Sequence, residues 1–125
     1  SLRRNVVTQL KEVLSCRGYK VIDRQTENKL IISRGKVSNT YYLFGGRDER
    51  SQDLIQGVTL AGILMDEVAL MPRSFVEQAM GRCSVEGSKF WFNCNPEGPS
   101  HWFYTEIIKQ ADTKKFLRIH FRIIL

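Results

Sequence analysis

Leu2, Val6, Leu10 and Val13 or Leu14 recur every three to four residues, with Arg3, Arg4, Gln9, Lys11 and Glu12 between them. That spacing predicts an amphipathic helix. Gly18 stands just past the last periodic residue, where a helix stop belongs. Lys29–Ser33 and Asn39–Phe44 are rich in branched and aromatic residues and flank Arg34-Gly35-Lys36, so a β-hairpin is expected, ended by Gly45-Gly46. The polar stretch Arg47–Asp53 reads as surface loop or the start of a helix.

The second half alternates differently. Leu60–Met65 is apolar at almost every position and stops abruptly at Asp66-Glu67, the pattern of a central parallel strand buried on both faces. Pro72 suits a first helical turn, and Phe75, Val76, Ala79 and Met80 form a stripe that ends near Gly81. Lys89–Asn93 predicts another buried strand running into Asn95-Pro96-Glu97-Gly98-Pro99, which cannot be regular structure. Ser100 is placed to cap a helix to about Lys109. Phe116–Phe121 alternates as a last strand. The order of elements favours an α/β fold with a mostly parallel sheet.

Composition narrows the classes little further. The chain has 125 residues, one domain's worth, and 42% are hydrophobic, enough for a core. Charged residues make up 26%, which argues against disorder. No apolar run reaches the roughly 18 residues of a membrane helix, and Ser1-Leu2-Arg3-Arg4 is unlike a signal peptide. No membrane contact is therefore expected. Cys16, Cys83 and Cys94 are odd in number and lack zinc-knuckle spacing, so a reduced, cytosolic protein is expected. The net charge of +6 is compatible with a polyanion such as DNA, but equally with an ordinary basic surface.

Candidate chemistry concentrates in two places. Gly62–Glu67 has the form of a Walker B element: Asp66 can hold Mg²⁺ beside nucleotide phosphates, and Glu67 can orient the attacking water. A solvated strand end is the ordinary alternative. Asn93-Cys94-Asn95-Pro96 follows the next strand, and its amides can contact a γ-phosphate or the attacking water; a plain Asn-Pro turn is the alternative. Arg47 or Arg50 could act as an arginine finger toward a neighbouring subunit, or simply be solvated. Cys94 reads as a structural cysteine rather than a nucleophile. His101 and His120 have no partner at ligand spacing. Trp91, Trp102, Phe103 and Tyr104 could stack on bases, though core packing is the default. No Gly-x-x-x-x-Gly-Lys-Ser/Thr sequence is present, so this chain has no phosphate cradle of that kind.

Taken in order, Gly46-Arg47-Asp48-Glu49, Ile55-Gln56-Gly57-Val58-Thr59, Gly62–Pro72 and Phe92–Tyr104 resemble the large subunit of tailed-phage terminases, in the PBSX-like branch of phages and prophages. The resemblance runs over about residues 40–121 and is most specific at Asn-Cys-Asn-Pro-Glu-Gly-Pro-Ser-His-Trp-Phe. It implies a DNA-packaging motor. In that family an N-terminal ATPase domain drives double-stranded DNA into the procapsid, and a C-terminal nuclease domain cuts it. The fold implied is an incomplete three-layer P-loop NTPase core of the additional-strand, RecA-like class, forming one partial ATPase domain over residues 1–125.

Carried over by position, Asp66 would be the magnesium residue and Glu67 the catalytic carboxylate. Asn93–Pro96 would be the coupling motif, with Asn95 as phosphate sensor and Asn93 beside it. Arg47 and Arg50 stand as arginine-finger candidates by residue type. ATP and Mg²⁺ are the implied cofactors. Double-stranded DNA, the portal protein and the small terminase subunit are the implied partners, in the cytoplasm of a bacterial host. The segment departs from the family in lacking Walker A and nuclease sequences and in its apolar end Arg122–Leu125, so alone it is expected to be inactive. Its sheet is expected to have an exposed edge or face, relieved by pairing with another copy or by swapping of an element. The competing readings are a prophage remnant that binds DNA or a partner without catalysis, and another P-loop ATPase such as a helicase.

Overall fold

The computed structural model describes residues 2–45, 53, 55–95, 97–114 and 116–119. The chain divides into two compact units, Ser1–Gly46 and Arg47–Leu125.

In the first unit a wide π-helical turn, Arg3–Val7, leads into α1, Thr8–Cys16. The helix ends as the sequence predicts. Gly18 takes φ +81°, which a residue with a Cβ adopts only at a cost. Its N–H donates to the Ser15 carbonyl at 3.1 Å, and Tyr19 N–H donates to the Leu14 carbonyl at 3.0 Å, the paired bonds of a Schellman stop. Strands β1 (Lys20–Arg24), β2 (Lys29–Arg34) and β3 (Val37–Tyr42) then form an antiparallel sheet in that spatial order. The expected hairpin is β2–β3, paired from Lys29↔Tyr42 to Arg34↔Val37. Strand β3 begins and ends two residues earlier than the pattern suggests.

The strand β1 is not signalled by hydrophobic alternation, because Asp23 occupies an inward position opposite Leu30. Helical partners make that tolerable. Arg3 Nη1 lies 3.0 Å and Lys11 Nζ 2.5 Å from the Asp23 carboxylate, whose side chain is 11% exposed. The core consists of Val7, Leu30 and Ile32, flanked by Leu10, Leu14, Tyr19, Val21 and Leu43.

The second unit is built on a parallel pair, β4 (Gly62–Met65) and β5 (Lys89–Phe92), in register from Gly62↔Lys89 to Met65↔Phe92. A single-turn 3₁₀ helix, Val68–Leu70, and the helix α2, Arg73–Gly81, make the crossover. Phe75, Val76 and Ala79 of α2 are buried, as the stripe predicts. Arg73 bridges outward from the first turn, with its guanidinium 2.9 Å from Glu77, 2.8 Å from Glu106 and 5.8 Å from the centre of the Trp102 ring. The helical segment after Pro99 is capped by His101, whose Nδ1 accepts from Phe103 N–H at 3.2 Å, and not by Ser100. It passes into a π-helical turn, Tyr104–Ile108. Phe92 packs edge-on against Phe103 and Phe116.

Three expectations change. Among the described residues three of five strands are antiparallel, so the parallel character belongs to the second unit alone. Residues 116–119 are not a strand; positions 120 and 121 lie outside the described residues. Strands β4 and β5 are covered on one face only, leaving Leu64 58% and its neighbour Trp91 62% exposed. No described helix is long and apolar enough to cross a membrane.

Two outcomes follow from this packing. A Cβ on Gly62 would meet the Lys89 carbonyl oxygen at 2.9 Å, and backbone cannot yield easily. Gly62→Ala is expected to lose about 1–3 kcal/mol, read as a lower urea midpoint. Asp23 is held below the usual carboxylate range by its hydrogen bond from Lys11 and then by Arg3. A depressed folded pKa contributes stability above the unfolded value of about 3.9, lost as pH falls through the folded value. Asp23→Asn is therefore expected to be less stable than the parent at pH 7. The two should converge in acid, below the folded pKa of Asp23, as tracked by denaturant unfolding across pH.

Candidate functional site

The ladder of β4 and β5 does not stop at Met65 and Phe92. Asn93 N–H donates to the Met65 carbonyl at 3.2 Å, and the Asn93 carbonyl accepts from Val68 N–H at 3.0 Å. The Asn93 side chain bonds the two residues that lie between Met65 and Val68. Its Oδ1 accepts from Glu67 N–H at 2.7 Å, and its Nδ2 donates to Asp66 Oδ1 at 2.8 Å. Parallel pairing is what makes this possible, because both strands present their carboxyl ends on the same side.

The chain turns sharply at the acid pair. Glu67 has φ 54° and ψ 48°, a left-handed conformation that L-residues other than Asn and Asp seldom take. Asp66 is half-buried and Glu67 is exposed. Glu67, Ala69, Leu70, Cys94, Asn95 and Glu97 line a cleft of about 20 Å³. That is room for one water molecule. Of the residues singled out from the sequence, Asp66 and Asn93 are hydrogen-bonded, and Glu67 and Asn95 share this cleft. Arg47, Arg50, Pro96 and His120 lie outside the described residues.

Cys94 is half-buried, and burial together with the nearby Glu97 carboxylate pushes its thiol pKa up. A thiol so disposed is a poor nucleophile, which agrees with the structural reading. Phe103 is core, 3% exposed, whereas Trp91 is open. Glu97 and Leu70 were not singled out by sequence. Glu97 belongs to the sequence Asn-Pro-Glu-Gly-Pro, where an acid is unremarkable, and nothing in the spacing ties it to Glu67.

The donor set bears on metal binding. Among the described residues no three His, Cys, Asp or Glu side chains gather as a closed metal cage. Mg²⁺ in nucleotide sites needs none, since one or two carboxylates, water and phosphate oxygens complete it. Asp66 offers one such carboxylate, with Oδ1 accepting from Asn93 Nδ2 and Oδ2 as its second oxygen. The residues fit Mg²⁺ held jointly with a nucleotide.

The chain is similar to the large terminase of a thermophilic bacteriophage. One crystal structure of that protein matches at 59% identity and TM-score 0.90, over 95% of this chain and 29% of that one. Its complex with ADP matches at 57% identity and TM-score 0.89, over 96% and 29%. Its complex with ATP-gamma-S matches at 54% and 0.86, over 96% and 28%. This chain thus spans less than a third of the terminase it matches. No protein-family model and no curated protein matches it.

The backbone at Glu67 can be tested apart from any activity. Glu67→Gly and Glu67→Ala remove the same carboxylate, but only glycine takes the left-handed conformation without steric cost. The glycine variant is expected to be more stable by about 1 kcal/mol, the reverse of the order at a helical site. Paired denaturant curves decide it; an alanine variant of equal or greater stability would contradict the left-handed turn.

Proposed function

Because this chain belongs to the phage large-terminase family, we propose that it carries the acidic part of the ATP-hydrolysing centre of a viral DNA-packaging motor. The observation that supports this most is the convergence of Asp66, Glu67, Asn93 and Asn95 at the carboxyl ends of two adjacent parallel strands. Open α/β sheets bind their ligands there. The matched terminase has been solved with ADP and with ATP-gamma-S, which favours a nucleotide as the ligand.

In this reading the Asp66 carboxylate would hold Mg²⁺, which would supply charge neutralisation at the nucleotide phosphates. Glu67 faces a cleft that admits one water, where its carboxylate orients the nucleophile and accepts its proton. Asn95 lies across the same cleft as a phosphate contact. The sequence holds no Walker A motif, so the phosphate cradle comes from elsewhere in the terminase. The finer fold reading is part of a three-layer P-loop core, and it draws support from Leu64 and Trp91. These are adjacent apolar side chains on an open sheet face, suited to a further layer. Coupling to DNA translocation, and the DNA, portal and small-subunit partners, follow as family expectations with the basic charge of +6 in their favour.

In a full-length terminase carrying this segment, Glu67→Ala is expected to cut ATP turnover by about 10²-fold or more, with nucleotide binding retained. Steady-state phosphate release and a nucleotide titration measure the two. Turnover within twofold of the parent would remove Glu67 from the reaction.

A further inference from the structure

We propose that Asn93 is a positioning residue. It fixes the Asp66 carboxylate and the Glu67 turn as a single unit before any nucleotide arrives. This deepens the ATPase reading and rests on it for its consequence, though not for its geometry.

Four hydrogen bonds from this one residue reach four consecutive residues. The backbone of Asn93 bonds Met65 and Val68, and its side chain bonds Asp66 and Glu67. The two side-chain partners are of opposite kind. A carboxylate only accepts, and a peptide N–H only donates. A side-chain amide has one donor end and one acceptor end a fixed distance apart, so it satisfies both at once. A carboxylate at position 93 would still accept from Glu67 N–H but would face Asp66 with like charge. An aliphatic side chain would do neither. The opposite amide orientation would set Oδ1 against the carboxylate and Nδ2 against the N–H, so the network allows only one.

Two consequences bear on the site. The bond to Oδ1 fixes the carboxylate's rotation, leaving Oδ2 as the oxygen for a cation. The bond to Glu67 N–H holds a left-handed residue whose side chain borders the water-sized cleft. Through Asn93 the two acids are set relative to each other by the end of β5, rather than by the mobility of a two-residue turn. Misplacement of a reacting group by about 1 Å costs on the order of 10²-fold in rate.

The test has two arms. In this chain, amide hydrogen exchange at Glu67 is followed by NMR. Asn93→Ala is expected to speed it by about tenfold or more, since a protecting acceptor is lost. Asn93→Asp keeps the acceptor and is expected to retain most of the protection. In the full-length terminase carrying this segment, both variants are expected to lower kcat for ATP by about 10- to 100-fold. KM for ATP should stay within about twofold, because removing an interaction that matters only to the transition state leaves substrate binding alone. The Mg²⁺ needed for half-maximal turnover should rise.

Unchanged exchange at Glu67 in Asn93→Ala overturns the proposal. So does a raised KM with kcat intact, which would make Asn93 a direct nucleotide contact. Should Asn93→Ala fail to fold, Asn93→Asp decides: protection at Glu67 with lost turnover supports positioning, and unchanged turnover refutes it. A parent terminase with no ATPase activity, alongside the expected exchange pattern, would instead refute the ATPase reading and leave the clamp standing.

Discussion

The second unit depends on how the ends of two short strands are joined. Four residue pairs make a thin ladder, and parallel ladders are slightly weaker per residue than antiparallel ones. Asn93 extends the ladder past its last pair and ties it to the turn that follows β4. A left-handed residue other than glycine costs about 1–2 kcal/mol, and a typical hydrogen bond contributes about 0.5–1.5 kcal/mol. The bonds around Glu67 are therefore of the right size to hold it in a conformation it would otherwise leave. Without them the acid pair would be an ordinary flexible strand end.

The remaining packing supports this junction from one side. Phe92, the residue before Asn93, meets Phe103 and Phe116 edge-on, and Phe103 is buried. Met65, the residue before Asp66, is 4% exposed. Asp66 and Asn93, the two side chains joined by a hydrogen bond, thus each follow directly on a packed apolar residue. Alternation along the strand does this: inward side chains fix the backbone, and the next residue is delivered to the edge. Gly62 serves the other end of the ladder, where the backbone of Lys89 comes too close for a side chain.

The sequence discloses these features unevenly. The strand ending at Asp66-Glu67 and the helix after Pro72 are legible because apolar runs and breakers are local signals. The stop at Gly18 is legible for the same reason. Strand β1 is hidden because its inward Asp23 is acceptable only in company with Arg3 and Lys11, which lie far away in sequence. The cap by His101 is hidden because imidazole is a rare cap beside a serine that fits the usual pattern better. Leu64 and Trp91 mark the opposite failure. Their pattern predicts burial on both faces, and only one is covered. At the site, residue types were legible and their division of labour was not. Asn93 and Asn95 look equivalent in sequence, yet one is engaged with the acids and the other opens on the cleft.

The most informative single feature is the mismatch between Glu67 and its backbone. A chain that needs to turn in the left-handed region after a strand has glycine or asparagine available at little cost. Glutamate there sacrifices stability, and no core side chain gains from it, since Glu67 is exposed. Strain of this kind persists where the surroundings over-determine it, and it gathers at functional sites. Here the surroundings are visible: Asn93 supplies the hydrogen bonds, and the cleft shared with Asn95 supplies a place for the carboxylate to act. Asp66 by itself would be an unremarkable acid at the end of a strand. The strained neighbour beside it is the observation that favours the proposed centre over a solvated turn.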